Sequence, residues 1–215
     1  MQLEMKQAGI LGEQRVVLKN ISWDLFESLL AALGDNRSSR LAYDRGLLEI
    51  ITPLLPHEHY KRSIEKLIDI LAEELNLNIK SVGSLTCKRE DLLRGLEPDS
   101  GFYFQNEPLV RSNTNIDLNQ DPPPDLILEV DFSNQSLNKL PIYISLGVPE
   151  VWRYAQGNLQ IYLLQQGQYV SVNDSPTFAN IAVTEIPRFL ELSTQVGEAQ
   201  MLREFRNWVR ERQLT

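Results

Sequence analysis

The chain has 215 residues, 42% of them hydrophobic, with 21 Lys+Arg against 29 Asp+Glu for a formal net charge of −8, and it carries two His and one Cys. That length and composition fit one domain with a real core and exclude a disordered or low-complexity chain. Cys87 alone can form neither an internal disulfide nor a thiolate cluster for zinc, and the acidic surplus weighs against a general nucleic-acid coat, whose affinity comes from Lys and Arg that release counterions. It does not exclude a nuclease whose carboxylates hold metal.

Glu4 and Lys6 occupy the only place where a signal peptide's apolar run could begin. The longest uncharged stretch, Tyr154 to Asn173, is studded with Gln and Asn and is no membrane span. The expectation is a reducing, cytoplasmic setting. In chain order, Ile21 to Leu33 has helical spacing with Ser22 as N-cap and Gly34 as stop. Leu41 to Ile51 holds Asp44-Arg45-Gly46 between apolar runs, the mark of two strands joined by a tight turn, ended by Pro53 and Pro56. From His57 to Leu75, Ile64, Leu67, Ile68, Leu71 and Leu75 form one helical stripe that should pack on a sheet.

Ile79 to Cys87, Asp99 to Gln105 and Asp125 to Val130 read as strands, with 106–121 as an inserted loop and Pro122-Pro123-Pro124 forbidding helix before the last of them. Ser136 to Leu146 reads as a short helix stopped by Gly147, and Glu150–Tyr154, Leu159–Leu164 and Tyr169–Val172 as a meander. Met201, Leu202, Phe205, Trp208 and Val209 make the apolar stripe of a C-terminal helix over about 197–213, with Arg203, Arg206, Arg210 and Arg212 around it. This pattern predicts a single α/β domain over 1–215, helices on a mixed sheet, its core at about 41–172 with the helices at 21–33 and 197–213 as additions.

Charge is uneven. Ser112 to Gln200 holds ten acids against three bases, Lys139, Arg153 and Arg188. Asp117, Asp121, Asp125, Glu129 and Asp131 occur with no base among them. On a strand, Asp125, Ile127, Glu129 and Asp131 share a face. Ile127 makes that face partly buried, and buried carboxylates need a metal, a Lys or an Arg. Asp99 begins another predicted strand. Two acids on neighbouring strands with a lysine a few residues later are the parts of a magnesium-dependent hydrolytic site, in which the carboxylates hold the hard cation and the cation activates water. A solvated strand end whose acids face water is the alternative for this face.

Gly46-Leu-Leu-Glu-Ile-Ile-Thr-Pro53, His57-Glu58, Glu97-Pro-Asp99, Pro123-Pro-Asp-Leu-Ile-Leu-Glu-Val130, Lys139 with Tyr143, and Leu146-Gly-Val-Pro-Glu-Val-Trp-Arg-Tyr154 resemble the Uma-two family. These restriction endonuclease-like proteins, abundant in cyanobacteria, belong to the PD-(D/E)XK nuclease superfamily, whose core is a mixed sheet flanked by helices. The resemblance implies Asp99 as the acid of the Pro-Asp motif and Glu129 as the acid of the (D/E)XK strand, both metal ligands. The lysine place of that strand holds Asp131, and the resemblance supplies the lysine from the following helix as Lys139. Gln135 stands where many members have an acid.

Asp125 reads as an auxiliary metal ligand, with fixing the turn after the prolines as the alternative. Glu58 and Glu65 lie seven apart on one helix face; Glu58, at the helix N-terminus, is the helical glutamate the superfamily often places near the metal, or else a dipole partner. His57 and His59 are too close together to chelate from a helix. Cys87 reads as a packed strand cysteine, and Trp152 and Tyr154 as core or sheet-edge aromatics. The C-terminal arginines could serve a partner or phosphates, with capping the core as the favoured role.

The reading that follows is an endonuclease that uses Mg2+ or Mn2+ to hydrolyse DNA phosphodiester bonds, with Asp99, Glu129, Lys139 and Glu58 as catalytic residues and Asp99, Glu129 and Asp125 as metal ligands. Pairing into a homodimer is expected of an enzyme that cuts both strands, no membrane partner is expected, and DNA affinity should depend on the metal. The alternative is a binding or assembly module that kept the fold and partly lost the site, for which Asp131 and Gln135 speak.

Overall fold

A computed structural model describes residues 2–6, 14–34, 38–131 and 137–213, with the backbone alone for 2–6. Its strands are β1 (Gln2–Lys6), β2 (Gln14–Lys19), β3 (Arg40–Asp44), β4 (Leu47–Thr52), β5 (Lys80–Gly83), β6 (Cys87–Arg89), β7 (Arg94–Leu96), β8 (Ser100–Tyr103), β9 (Leu126–Asp131), β10 (Glu150–Ala155), β11 (Asn158–Gln165) and β12 (Gln168–Val172). Its helices are α1 (Trp23–Leu33), α2 (Leu55–Glu74), α3 (Glu107–Val110), α4 (Leu140–Leu146), α5 (Ile186–Val196) and α6 (Glu198–Gln213).

Local chemistry sets several of these elements. Ser22 Oγ accepts from Leu25 N at 3.2 Å and so caps α1. Arg45 and Gly46, with φ of 48° and 93°, form the two-residue turn between β3 and β4, where two successive positive φ values match the twist of the flanking strands. Pro56 does not end the preceding hairpin, as the sequence had implied, but sits in the first turn of α2, where its missing N–H costs nothing.

The expected mixed sheet flanked by helices is present as the second of two six-stranded sheets, which are ordered β1-β2-β4-β3-β7-β6 and β12-β11-β10-β9-β8-β5. The first is antiparallel throughout; the second is mixed, with β9 and β10 parallel and joined through α4. The segment expected as one strand from Ile79 to Cys87 is split, β5 lying in the second sheet and β6 in the first. The predicted loop over 106–121 contains α3, and α5 forms before the expected C-terminal helix.

Strand alternation sends side chains to three cores. Leu41, Tyr43 and Leu48 pack with Phe26 of α1 on the outer face of the first sheet. Leu126, Leu128 and Val130 of β9 pack with α2, α5 and α6 on the outer face of the second. Ala42, Cys87 and Leu96 of the first sheet meet Ile127 and Val151 of the second, together with Tyr143 of α4, in the core between them. The layers are therefore α1, sheet, sheet, then α2 with α5 and α6.

The C-terminal helix completes the largest core. Met201, Phe205, Trp208 and Val209 are buried in it, while Arg206 and Arg210 bind Glu73 and Glu74 at the end of α2, and Arg212 lies over the Trp208 ring at 5.5 Å. These arginines are engaged within the fold. Phe205→Ala should lower the free energy of unfolding by about 3–5 kcal/mol, the usual cost of emptying a buried aromatic site, measured as a shift of the urea midpoint.

Candidate active site

The register between β8 and β9 pairs Ser100 with Leu128 and Gly101 with Ile127. Continued one step, it sets Asp99 opposite Glu129, and facing residues of an antiparallel pair hold their Cβ atoms about 5 Å apart. Because β8 begins at Ser100, the Val130 amide has no backbone acceptor on that side, and Asp99 Oδ2 accepts from it at 2.6 Å. The same oxygen bonds His57 Nε2 at 3.0 Å, and Arg40 Nη1 pairs with Asp99 Oδ1.

Glu129 is equally occupied. Lys139 Nζ donates to Oε2 at 2.5 Å, and the Tyr143 hydroxyl donates to Oε1. Burial first, then the charge of Glu129, raises the Tyr143 hydroxyl pKa far above its ordinary value, so it remains a donor. Lys139 is buried at the N-cap position of α4 with 6% of its surface exposed, so it is not the solvated helix-start lysine that its position alone would imply. The carboxylate of Glu129 compensates the unfavourable helix end.

Glu58 lies in the first turn of α2 and accepts from Arg40 Nη2 at 3.0 Å, so one guanidinium ties it to Asp99. Glu65, two turns on, accepts from Ser100 Oγ beside Asp99. Lys61 lies 3.9 Å from both Glu58 and Glu65, and burial together with Arg40 lowers its pKa. Arg40, Glu58 and Glu97 line an open cleft of about 670 Å³, whereas Glu129, Lys139, Tyr143 and Arg153 line a separate one of about 270 Å³.

Asp125 is not part of this group. Its Oδ2 accepts from the amides of Phe104 and Asn106 at 2.7 and 2.9 Å and its Oδ1 from Asn106 Nδ2 at 2.7 Å. Four residues of strand, about 13 Å, separate it from Glu129. The turn-fixing alternative is the one the geometry favours, and auxiliary ligation is set aside because Asp125 lies at the far end of β9 from Glu129, bonded to the loop at 104–106.

Residues not singled out from the sequence complete the site. The registers put Arg15, Arg40, Ala42 and Glu49 on the face of the first sheet that looks toward the second. Arg15 Nη1 reaches Glu49 at 3.4 Å, and Arg15 Nη2 lies 3.9 Å from Asp131. Arg153, the β10 partner of Glu129, donates from Nε to Asp131 at 2.7 Å. Asp131, in the motif's lysine place, is thus neutralised by two arginines. Glu97 accepts from the Leu41 amide and from Thr86 Oγ1. An arginine alternating with apolar residues, as Arg153 does in Val151-Trp152-Arg153-Tyr154, was the available sequence signal; nothing local marked Arg15. Gln135 lies outside the described residues.

Asp99 and Glu129 are two buried oxygen donors on adjacent strands, the type of pair through which a magnesium ion is held while keeping several waters. The residues fit such an ion in kind, and it would take the place of the chain's own donors on their oxygens. Among the described residues no group of three or more His, Cys, Asp and Glu stands close enough to hold a metal, so any ion here relies on this pair. Cys87 is buried, and burial plus the charges of Glu129 and Glu97 pushes its thiol up to about 12. Trp152 and Tyr154 are core side chains. No helix among the described residues is long and apolar enough to cross a membrane.

One stability measurement and one reactivity measurement check this geometry. Lys139→Met should cost about 3–5 kcal/mol by leaving Glu129 buried without its cation, and adding Glu129→Gln should recover part of that loss in the same urea titration. The Cys87 thiol should stay unreactive toward a disulfide reagent in native protein at neutral pH and react fully in denaturant.

Comparison with known proteins agrees with this architecture. A family model described as "Putative restriction endonuclease", Uma2, matches residues 23–195. A solved structure, that of "a putative nuclease belonging to DUF820" from Anabaena variabilis, aligns with TM-score 0.54 and 16% identity over 85% of this chain and 99% of that one, a likeness of fold. No curated protein matches. With the family match spanning most of the sequence, the chain belongs to the Uma2 family of restriction endonuclease-like proteins.

Proposed function

We propose that the chain is a divalent-metal-dependent endonuclease that hydrolyses DNA phosphodiester bonds at Asp99, Glu129 and Lys139. What supports this reading is that the Asp99 carboxylate accepts from the amide of Val130, the residue after Glu129, while the Lys139 ammonium sits on Glu129. Asp99 and Glu129 would hold Mg2+ or Mn2+. When bound, such an ion supplies a Lewis-acidic centre that activates water and polarises the phosphate.

The rest is the work of the chain. Lys139 brings a cation to the place where negative charge grows on the attacked phosphate. Tyr143 and Lys139 together fix the Glu129 carboxylate, and His57 and the Val130 amide fix that of Asp99. Glu58, joined to Asp99 through Arg40, stands at the open cleft where a substrate would enter.

A second reading, a binding or assembly module on the same fold, draws on two features. Asp131 replaces the strand lysine and is locked by Arg153, and every oxygen of Asp99 and Glu129 already has a partner in the chain. Supercoiled plasmid with Mg2+ or Mn2+ separates the two. The expected result is nicking, reduced more than about 100-fold in Asp99→Asn and Glu129→Gln, a larger loss than the 10- to 100-fold that outer-shell partners of a metal ligand usually cost. No nicking by folded wild-type protein, with DNA binding retained, supports the module; nicking equal in wild type and both variants refutes the site.

A further inference from the structure

We infer that Arg40 is a built-in competitor for the metal: its guanidinium bridges Asp99 and Glu58, and a divalent cation binding at Asp99 must displace it from that carboxylate. This rests on the proposed metal site at Asp99 and Glu129 and says how that site is regulated.

Three observations carry the inference. Arg40 is the last residue before the buried part of β3 and, by register, shares the inward face with Ala42 and Glu49, so its side chain is aimed at Asp99 by the sheet itself. It bridges two carboxylates from different elements, Asp99 before β8 and Glu58 on α2, one through each terminal nitrogen. Its side chain is 11% exposed and lines the cleft of about 670 Å³, so it has somewhere to go.

Electrostatics supplies the direction. Asp99, Glu58 and the neighbouring Glu97 are three acids, and a guanidinium bound at Asp99 neutralises part of their field and occupies the oxygen that would face the ion. A divalent cation arriving there meets a like charge a few ångströms away. Two unit charges about 5 Å apart at an effective dielectric near 20 repel strongly enough to change a binding constant by about a few hundredfold, and a divalent ion raises the effect further. Removing the guanidinium lifts that penalty and leaves the acids mutually repulsive, which strengthens the attraction for the ion. Glu129 is paired with Lys139 instead, and both line the smaller cavity, which Arg40 does not.

The test reads metal binding, not turnover. Mn2+ binding to the intact protein is followed by the electron paramagnetic resonance signal of free Mn2+, for wild type, Arg40→Gln, Arg40→Lys, Asp99→Asn and the Arg40→Gln/Asp99→Asn pair. Arg40→Gln should bind Mn2+ at least about tenfold more tightly than wild type, Arg40→Lys should fall between them, and the gain should vanish in the Asp99→Asn background. Equal Mn2+ affinity in wild type and Arg40→Gln overturns the inference and leaves the metal site standing. Absence of Mn2+ binding in every form overturns the metal site as well.

Wild-type protein alone gives a second readout, free of folding effects in variants. Phenylglyoxal labelling of Arg40, located by peptide mass mapping, should rise when Mg2+ or Mn2+ is added, because the guanidinium has moved into the cleft. Labelling that stays constant or falls on adding saturating metal overturns the inference.

Discussion

The two sheets meet through charge. From the first come Arg15, Arg40 and Glu49 on one sheet face; from the second come Glu129, Asp131 and Arg153, with Asp99 just before β8. Such a seam is an expensive way to join two sheets, because each ion taken from water loses several kcal/mol of solvation that only close, well-made partners return. Apolar residues of similar size would bind the sheets at least as well. What they could not do is hold carboxylates buried and oriented, and the seam does that by providing a partner for each acid it buries. The apolar core between the sheets, with Ala42, Leu96, Ile127, Val151 and Tyr143, surrounds the seam and lowers the dielectric in which those pairs act.

Secondary structure gives the seam its precision. The Asp99 carboxylate finishes the β8–β9 ladder by accepting the Val130 amide, so its position is tied to the strand and not to a loop. Lys139 stands on the crossover between two parallel neighbours, β9 and β10, and its carbonyl accepts from the Ile142 and Tyr143 amides as α4 begins. The lysine, the tyrosine that also holds Glu129 and the first turn of α4 therefore move as one body. Glu58 and His57 arrive on the first turn of α2, whose far end is fastened by Arg206 and Arg210 of the C-terminal helix.

How much of this could be read from the chain depends on the range of the interaction. Ser22 and Gly34 around α1, the Asp44-Arg45-Gly46 turn, the stripe of α2 and the meander of β10 to β12 are local patterns, and each forms where its residues indicate. The strands β2, β6 and β7 are short or mixed in polarity, and Arg15 in β2 looks like a surface residue until the opposite sheet supplies Asp131. α5 was hidden because Pro187 at its start reads as a breaker, though a first-turn proline is where a helix tolerates one. In the candidate site, Asp99, Glu129 and Lys139 were named through the motif positions that the chain shares with its family. Arg40, Arg15, Glu49 and Arg153 were not, since their partners lie on other strands or another sheet and no periodicity links them. Asp125 shows the opposite failure: strand alternation put it with Glu129, and the loop at 104–106 claimed it instead.

Asp131 gives the arrangement a division of labour. In the superfamily pattern the position two after the strand acid carries a chemical task. Under the proposed function that task falls to Lys139 on the crossover, and position 131 is bonded to Arg153 and approached by Arg15. Cohesion and chemistry thus fall on alternate residues of one strand, and the two can drift independently. A relative that loses the grip at 131 weakens the clasp between the sheets and leaves position 129 paired, whereas one that loses 139 keeps that clasp and strands the buried Glu129 carboxylate.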